Sequence, residues 1–355
     1  MGNIITGSTP ATDETTFYSG NRLFVSPADL QSNRYVFKTK TTLTEKGFNK
    51  GRKIRRGSTY FVCIGSTIGK VGQATEDSIT NQQINSVIPV DNDDDFVFSL
   101  LEYSSVKIKS LSAEQAVPII NKTTFSNIIV AIPNIEEQEK ISSLFKLLDE
   151  RIQTQRKIIS QLKSQMSNLK DLLFEQQLRF TDDKGNEFAD WQENKLEDIC
   201  EKQSSSISAN KIEDNIGDYP IYGATGILKN VDFYEVENDY VSIVKDGAGV
   251  GRLLYCKGKS SVLGTLDIIQ SKNINLYFIF LLLSRIDFKK YITGSTIPHI
   301  YFKDYKKEKF QIPSIEEQEK IANFFKSLDA KINLETELLT QYENQKKHLL
   351  QNLFI

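Results

Sequence analysis

Residues 132–141 read IPNIEEQEKI, and 180 positions later residues 312–321 read IPSIEEQEKI. The two blocks differ at a single position, and the correspondence continues without a gap as far as Phe174 and Phe354. This period is much longer than the repeats of about 20–50 residues that build solenoid proteins. The sequence therefore predicts a duplicated domain in which each copy ends in the same long element.

Each repeated block begins with the signature of a helix start. Asn134 and Ser314 are residue types that cap the first free backbone N–H groups of a helix. Glu137 and Glu317, three residues later, predict a capping box in which the glutamate side chain bonds back to the cap. We therefore expect a helix to start at each block.

Apolar residues then recur at alternating steps of four and three, which is the pattern of a coiled-coil seam. In the first copy they are Ile141, Phe145, Leu148, Ile152, Ile159, Leu162, Met166, Leu169 and Leu173. Gln155 is the polar break in this copy, and Glu335 and Lys346 are the breaks in the second.

We predict that residues 134–178 and 314–355 form long helices of about 60 Å, at about 1.5 Å per residue, whose seams pair antiparallel within one chain. The plain interpretation of the apolar stripe is buried core. A stiff helical pair would also fix the distance and the rotation between the domains that flank it.

The regions outside these helices, residues 1–133 and 179–313, predict two mixed α/β (α+β) domains. Short β-like runs stand at residues 59–64, TYFVCI, and 240–244, YVSIV. Each run enters a turn with spaced glycines, GSTIGK at residues 65–70 and KDGAGVGR at 245–252. A dinucleotide loop would need a following helix and a ribose-binding acid, and neither follows the second turn at the required distance. We expect tight turns that also bring charged side chains to a groove.

Composition and cysteine usage exclude several classes of protein. With 39% apolar and 25% charged residues the 355-residue chain resembles an ordinary globular protein. Its three cysteines are far apart, and its two histidines have no cysteine or carboxylate cluster at ligand spacing, so neither disulfides nor a metal site is expected. No apolar run is long enough to cross a bilayer and no basic-then-apolar leader is present, so we expect a cytoplasmic protein.

The net charge of −2 and the pI of about 5.9 argue mildly against nucleic-acid binding. The charge is unevenly distributed, however, because residues 34–56 contain nine Lys and Arg residues and one acidic residue, Glu45. A local basic face binds phosphates whatever the total charge. The plainer alternative is a solvated surface of strands and turns.

Taken together, these motifs resemble the specificity subunits of type I restriction-modification systems over almost the whole chain. The resemblance rests on the paired IPxIEEQEKI blocks with their helices, on FVSPADL at residues 24–30 and on GSTIG at 65–69. It also rests on YPIYGA at residues 219–224 and GSTIPHI at 294–300.

This resemblance implies two target-recognition domains, each reading one half of a bipartite DNA site, separated by conserved helices that act as spacers. It implies assembly with two modification (methyltransferase) subunits and, for cleavage, with restriction (motor-nuclease) subunits. The chain itself is then non-catalytic and binds no cofactor, with S-adenosylmethionine expected on the partner modification subunit.

One feature departs from the family pattern. Trp191 and residues 195–199, KLEDI, form a lead-in that the family places before each domain, whereas the first domain begins at Met1 without one. We therefore expect a shortened or alternative start and a first domain with an uncertain edge strand.

For base reading we expect side chains that can form paired hydrogen bonds with base edges in the major groove. The candidates are Arg52, Arg55, Lys70, Asn81, Gln82 and Gln83 in the first domain and Tyr222, Lys245, Asp246, Arg252 and Lys303 in the second. For any one of them the plainer interpretation is a phosphate contact or a solvated side chain.

Two other classes of function remain as alternatives. A self-contained methyltransferase or nuclease would need a cofactor loop, an adenine pocket of the NPPY type, a phosphate-binding loop or a metal cluster, and the sequence contains no such motif. A coiled-coil adaptor that binds only protein would lack specific DNA retention, which distinguishes it from a DNA reader.

Overall fold

The computed structural model describes residues 1–31, 33–112 and 118–354. The chain forms two compact units, Met1–Ile159 with Glu335–Ile355 and Ser160–Leu334. Each unit contains one repeated region and a part of both long helices. The predicted domain boundaries after residues 133, 178 and 313 stay predictions, because the division into compact units cuts through both long helices instead. None of the helices in the described stretches is both long and apolar enough to span a membrane.

The first unit contains two sheets and three short helices in its described part. The strands are β1 (Gly2–Thr6), β2 (Tyr18–Val25), β3 (Tyr35–Val36), β4 (Thr41–Leu43), β5 (Lys53–Ile54), β6 (Thr59–Val62), β7 (Val71–Ala74), β8 (Ser78–Thr80) and β9 (Ile84–Pro89). The helices are α1 (Glu45–Phe48), α2 (Asp94–Lys109) and α3 (Lys122–Ser126). One sheet has the order β1-β9-β6-β7-β3 and the other β4-β2-β8-β5.

Strand β6 explains how the first unit buries its core. Successive side chains of a strand point to opposite faces. Accordingly, Tyr60 and Val62 pack into one apolar cluster while Phe61 packs into another, together with Val97 of α2. Because both faces of β6 are covered, its sequence is a nearly continuous apolar run.

The edge strand of the first sheet, which the sequence left uncertain, is present as β1. It pairs antiparallel with β9 over five residues, from Gly2 opposite Pro89 to Thr6 opposite Asn85. The structure therefore corrects the expectation of an uncertain edge strand in the first domain.

The chain continues into the long helix α4 (Ile135–Phe174) and then into the second repeated region. Its strands are β10 (Gln192–Lys195), β11 (Cys200–Ser204), β12 (Tyr219–Gly223), β13 (Gly226–Val231), β14 (Tyr240–Val244), β15 (Leu253–Cys256), β16 (Ser261–Val262), β17 (Leu266–Ser271) and β18 (Lys309–Ile312). Its helices are α5 (Leu196–Ile199), α6 (Leu276–Leu283), α7 (Phe302–Tyr305) and the long α8 (Ile315–Leu353). The sheets are β11-β17-β14-β15, β13-β12-β16 and β10-β18.

The central strand of the second unit repeats the arrangement of β6. Val241 and Ile243 of β14 pack into one cluster and Tyr240 and Val244 into another. The Tyr240 hydroxyl lies 2.9 Å from Ser260 Oγ, as the Tyr60 hydroxyl lies 2.5 Å from Ser78 Oγ in the first unit. The predicted pair of duplicated mixed α/β domains is thus confirmed.

The long helices begin as predicted, but the capping box is incomplete. Asn134 Oδ1 accepts from the backbone N–H of Glu137 at 2.9 Å, and Ser314 Oγ accepts from that of Glu317 at 3.3 Å. The reciprocal bond from the glutamate side chain, however, does not form. Glu137 is exposed, and the Glu317 carboxylate bonds to Arg179 and to Trp191 instead.

The glutamines that follow make the equivalent contact in each unit. Gln138 Oε1 accepts from the backbone N–H of Asp93, the capping residue of α2, at 3.0 Å. Gln318 Oε1 accepts from that of Asn275, the capping residue of α6, at 2.9 Å. Each repeated block therefore ties the start of a long helix to another helix of its unit, α2 in the first unit and α6 in the second.

Within the first unit the two long helices run antiparallel along the predicted seam. Asp149 bonds to Lys346 at 2.6 Å, and Gln155, further along α4, bonds to Glu335, nearer the start of α8. The polar breaks of the seam are therefore paired with one another or with a buried charge.

Candidate nucleic-acid interface

The glycine-containing turn of the first unit follows β6 and lies beside the turn between β8 and β9. Gly65 and Gly69 have φ values of 94° and 93°, a region that favours glycine. The backbone N–H of Cys63 donates to Gln83 O at 2.8 Å, and that of Gly65 donates to Pro118 O at 3.0 Å. These bonds hold the turn after β6, the turn between β8 and β9 and the segment at Pro118 together at one edge of the sheet.

The second unit builds the same edge from equivalent residues. Gly247 and Gly251 have φ values of 89° and 84°. The backbone N–H of Lys245 donates to Thr265 O at 2.9 Å, and that of Gly247 donates to Pro298 O at 2.9 Å. We call these two edges the first and the second turn cluster, comprising residues 65–70 with 81–83 and residues 245–252 with 263–265.

A side-chain bond beside each cluster is also repeated. Thr6 Oγ1 of β1 donates to Asn85 Oδ1 at 2.7 Å, and Ser204 Oγ of β11 donates to Asp267 Oδ1 at 2.9 Å. The edge strand of each unit is thereby anchored beside its turn cluster.

Five of the six candidates predicted in the first domain lie at or beside the first turn cluster. Lys70 is exposed at the end of one turn, and Asn81 Nδ2 donates to Gln83 Oε1 at 3.0 Å in the other. Gln82 accepts at 2.6 Å from the Thr9 hydroxyl, and the backbone N–H of Arg52 donates to Ser8 Oγ at 3.0 Å. The segment of residues 7–9 therefore links Arg52 to the glutamine-rich turn.

Arg55 does not belong to this group. Its guanidinium donates to both carboxylate oxygens of Asp94 at 2.7 Å each and to Pro89 O at 3.1 Å. The hydrogen bonds to Asp94 raise the pKa of Arg55. Its donors hold the start of α2, and its assignment as a base reader stays a prediction.

In the basic segment of residues 34–56, only some of the Lys and Arg side chains are exposed to solvent. Arg34 is buried, bonded to Gln73 at 2.7 Å and to Asp149 at 3.0 Å, and paired with Asp95. The exposed cations of the segment include Lys38, Lys40, Lys50, Arg52 and Arg56.

In the second domain, Tyr222 and Lys245 make structural contacts, and their assignment as base readers stays a prediction. Tyr222 is only 8% exposed, its hydroxyl accepts from the backbone N–H of Lys257 at 3.3 Å, and burial raises its pKa. Lys245 Nζ lies 3.4 Å from the carboxylate of Asp267, whose side chain is 4% exposed. Lys245 therefore neutralises a buried acid.

Asp246 and Arg252 do lie in the second turn cluster. Arg252 is exposed, and its Nη1 donates to Ala224 O at 2.7 Å. The other N–H groups of its guanidinium take no part in that bond. Asp246 forms a β-bridge with His299, next to the exposed residues 293–297. The corresponding stretch of the first unit, residues 113–117, lies outside the described residues.

Lys303 lies outside the second turn cluster, on α7, in a surface pocket of 630 Å³. Its ammonium stands 5.1 Å from the ring centroid of Tyr301, and that ring contacts His299 at 4.9 Å. Lys202 and Lys272 line the same pocket. The sequence missed both lysines, because only the pairing of β11 with β17 brings their segments together.

The cysteine, histidine and acidic side chains of residues 1–31, 33–112 and 118–354 form neither a disulfide nor a metal-binding group. Cys63, Cys200 and Cys256 are unpaired and buried, and burial raises the pKa of their thiols to about 11, about 12 and about 12. No three His, Cys, Asp or Glu side chains of these stretches are grouped to hold a metal ion.

Comparison with known proteins gives the family. The sequence profile of the type I restriction modification DNA specificity domain matches residues 1–164 and 189–344. The HindI specificity subunit of Haemophilus influenzae is 32% identical over 167 residues, 44% of this chain and 36% of that subunit. The MjaVIII specificity subunit of Methanocaldococcus jannaschii is 27% identical over 319 residues, 80% of this chain and 73% of that subunit.

Solved structures share the fold. The type I S subunit of M. genitalium superposes with a TM-score of 0.67 at 17% identity, covering 99% of this chain and 93% of that one. A chain solved in a study of complex assembly and conformational transition of the type I R-M system gives 0.52 at 14% identity, covering 99% and 94%. Since the family profile matches both repeated regions, the chain belongs to the type I restriction-modification DNA specificity family and carries two copies of its domain.

Proposed function

We propose that this chain reads a bipartite DNA target, with each turn cluster facing one half-site, and that it performs no catalysis itself. The observation that carries the proposal is the repetition of one edge, bond by bond, in both units: Cys63 to Gln83 and Lys245 to Thr265. A duplicated reading edge suits a target with two separate halves.

The chemistry of the two edges differs, which suits two different half-sites. The first carries amides, in Asn81, Gln82 and Gln83, and amides are the side chains that pair with adenine in the major groove. The second carries the exposed fork of Arg252, and arginine forms its paired contacts with guanine. Exposed lysines such as Lys70 and Lys303 serve as phosphate contacts that position each edge.

The long helices set the spacing between the half-sites and dock two modification (methyltransferase) subunits, while restriction (motor-nuclease) subunits join for cleavage. S-adenosylmethionine is bound by the modification subunit, and this chain binds no cofactor. Because its partner is cellular DNA, we assign the chain to the cytoplasm.

Methylome sequencing of cells that express the chain with its modification subunit tests this proposal. The expected result is one motif made of two specific halves and an unspecific gap. A continuous motif, or methylation independent of this chain, would refute it. Methyl transfer by the purified chain alone would restore the enzyme alternative, and failure to retain specific DNA with its partners would favour the protein adaptor.

A further inference from the structure

The second unit carries a β-hairpin whose tip, residues 223–228, is joined to the second turn cluster. Arg252 Nη1 donates to the backbone oxygen of Ala224, at the turn of the hairpin, at 2.7 Å. The backbones also approach closely, because a Cβ placed on Gly249 would lie 3.5 Å from Ala224 Cβ. The hairpin tip and the turn cluster therefore form one continuous surface.

The hairpin tip is a two-stranded ribbon. Its sheet has the order β13-β12-β16, and the parallel pairing of β12 with β16 ends where Tyr222 lies opposite Val262. Beyond that point β12 pairs with β13, and the last pair is Gly223 with Gly226. The major groove of DNA is about 12 Å wide and admits a two-stranded β-ribbon. The tip therefore has a shape that the groove accepts.

Two apolar side chains of the tip are largely exposed. Ile227 is 60% exposed and Leu228 is 49% exposed. Leu228 packs on the turn itself, because a Cβ placed on Gly223 would lie only 2.8 Å from Leu228 Cγ. Leu228 thus stabilises the turn, and Ile227, the more exposed of the two, is available for contact with another molecule.

The first unit buries the side chain at the corresponding place. In each unit a backbone N–H of the turn cluster donates to the neighbouring strand, to Val25 O at 2.9 Å in the first and to Tyr222 O at 3.0 Å in the second. Leu30, five residues after Val25, is only 1% exposed. Ile227, five residues after Tyr222, is the exposed residue of the hairpin tip. The two units therefore present different chemistry at this point of the edge.

We propose that the hairpin tip enters the major groove of the half-site that the second turn cluster faces, and that Ile227 reads a thymine there. A single exposed isoleucine is ordinary on a protein surface. The bond from Arg252 to the tip, however, places this one beside a side chain that reads bases. The 5-methyl group of thymine is the apolar feature of the major groove, and apolar side chains are the ones that contact it. This inference rests on the proposed function and adds one base to it.

The test uses the chain assembled with its modification subunit and DNA duplexes that carry the motif found by methylome sequencing. Each thymine of the two half-sites is replaced in turn by deoxyuridine, which lacks only the 5-methyl group. Binding is measured by competition fluorescence anisotropy. We expect one thymine whose replacement weakens binding of the wild type about fourfold, the effect of losing one apolar methyl contact. The Ile227→Ala protein should bind the thymine and the deoxyuridine duplex equally.

Ile216→Ala is the matched control. Ile216 is 85% exposed and lies beside the far end of the hairpin, where a Cβ placed on Gly217 would lie 2.3 Å from the backbone nitrogen of Asp232. This variant should keep the fourfold difference between the two duplexes. Because the side chains of Ile216 and Ile227 are both exposed, we expect both variants to fold and to assemble with the modification subunit, which size-exclusion chromatography checks.

Four results would overturn the proposal. They are a wild type that tolerates every replacement, a methyl effect that persists in Ile227→Ala, a methyl effect that Ile216→Ala also removes, and Ile227→Ala binding that is weakened equally on all duplexes. Loss of assembly in Ile227→Ala alone would assign the tip to a protein contact and overturn the proposal as well. A motif without two halves contradicts the proposed function itself, whereas a two-part motif without a methyl-sensitive thymine contradicts only the reading by Ile227.

Discussion

Gln155 and Glu335, which occupy equivalent positions of the repeat, bond directly to each other. Gln155 Nε2 donates to the Glu335 carboxylate at 2.5 Å and to its backbone carbonyl oxygen at 3.0 Å. Each is a polar break in an otherwise apolar seam, and only one antiparallel register places the two breaks opposite. Polar pairs in such seams fix register at some expense of stability.

Replacing Gln155 with leucine should therefore destabilise the protein, while a second replacement should restore it. Gln155→Leu leaves the carboxylate and the carbonyl of Glu335 without their donor, at an expected loss of about 1–3 kcal/mol. Adding Glu335→Leu removes the unpaired carboxylate and makes the seam apolar. Urea unfolding measures the stability of the single and the double variant. A Gln155→Leu protein as stable as the wild type would contradict this role of the pair.

The long helices could be predicted from sequence because their signals are local. A cap and an apolar period each involve residues only a few positions apart, and the repeat is found by comparing the sequence with itself. From these local signals, Lys346 is predicted only as a polar break in the apolar seam. Its bonds to Asp149 and to Glu102, at 2.6 Å and 2.8 Å, join elements far apart in sequence, and no local pattern announces them.

The candidate site was predicted less well for the same reason. The turns could be located from their glycines, and Arg252, Asp246 and the amide-rich turn follow from that location. Whether a cation is free depends instead on tertiary partners. Arg55 is bonded to Asp94, and Lys202 comes beside Lys272 only through strand pairing; no local sequence pattern shows either contact.

Glu102 should give the protein a measurable pH dependence. Burial raises its pKa above the ordinary value of 4.5, although Lys346 opposes the shift. The folded protein therefore holds this proton more tightly than the unfolded chain does, and the stabilising contribution is lost as the pH rises through the raised pKa. Wild-type stability relative to Glu102→Gln should fall in urea unfolding as the pH rises from the ordinary pKa of 4.5 through the raised pKa.

Lys346→Met provides the matched variant for this titration, because methionine stands at the equivalent position of the first helix, Met166. Without the ammonium group, the pKa of Glu102 should rise further. The fall in stability should then move to higher pH. If the stabilities of the wild type and of Lys346→Met, each taken relative to Glu102→Gln, do not change with pH, Glu102 is solvated in the folded protein.

Arg52 and Arg55 should separate DNA binding from stability. Arg55→Ala loses the paired bonds to Asp94 and should lower the free energy of unfolding by about 1 kcal/mol, as expected for a largely exposed ion pair. Arg52→Ala should instead weaken DNA binding and reduce the slope of log K against log salt by about 0.9, since one phosphate contact is lost. Anisotropy titrations at several salt concentrations measure this, and identical slopes for both variants would exclude Arg52 from the interface.

Arg252→Ala should relax one base of one half-site. A paired arginine contact discriminates between bases by about 1–3 kcal/mol, so the methylome of the variant should accept other bases at one position. Arg285→Ala is a suitable control, because Arg285 pairs with Asp171 on α4 at 3.2 Å. Equal weakening for all sequences would identify Arg252 as a phosphate contact.

Lengthening both long helices together should change the gap between the half-sites and leave the half-sites unaltered. Seven residues inserted after Lys157 and, at the facing point of α8, before Asn333 preserve the seam and the bond between Gln155 and Glu335, because they complete two turns; both positions are exposed. Each insertion adds about 10.5 Å at about 1.5 Å per residue. At about 3.4 Å per base pair, the gap should grow by about three base pairs. Insertion into α4 alone shifts the part of α4 beyond Lys157 by seven residues relative to α8 and should destabilise the protein without defining a new gap. Methylome sequencing reads the motif directly, and altered half-sites with an unchanged gap would show that the helices do not set the spacing.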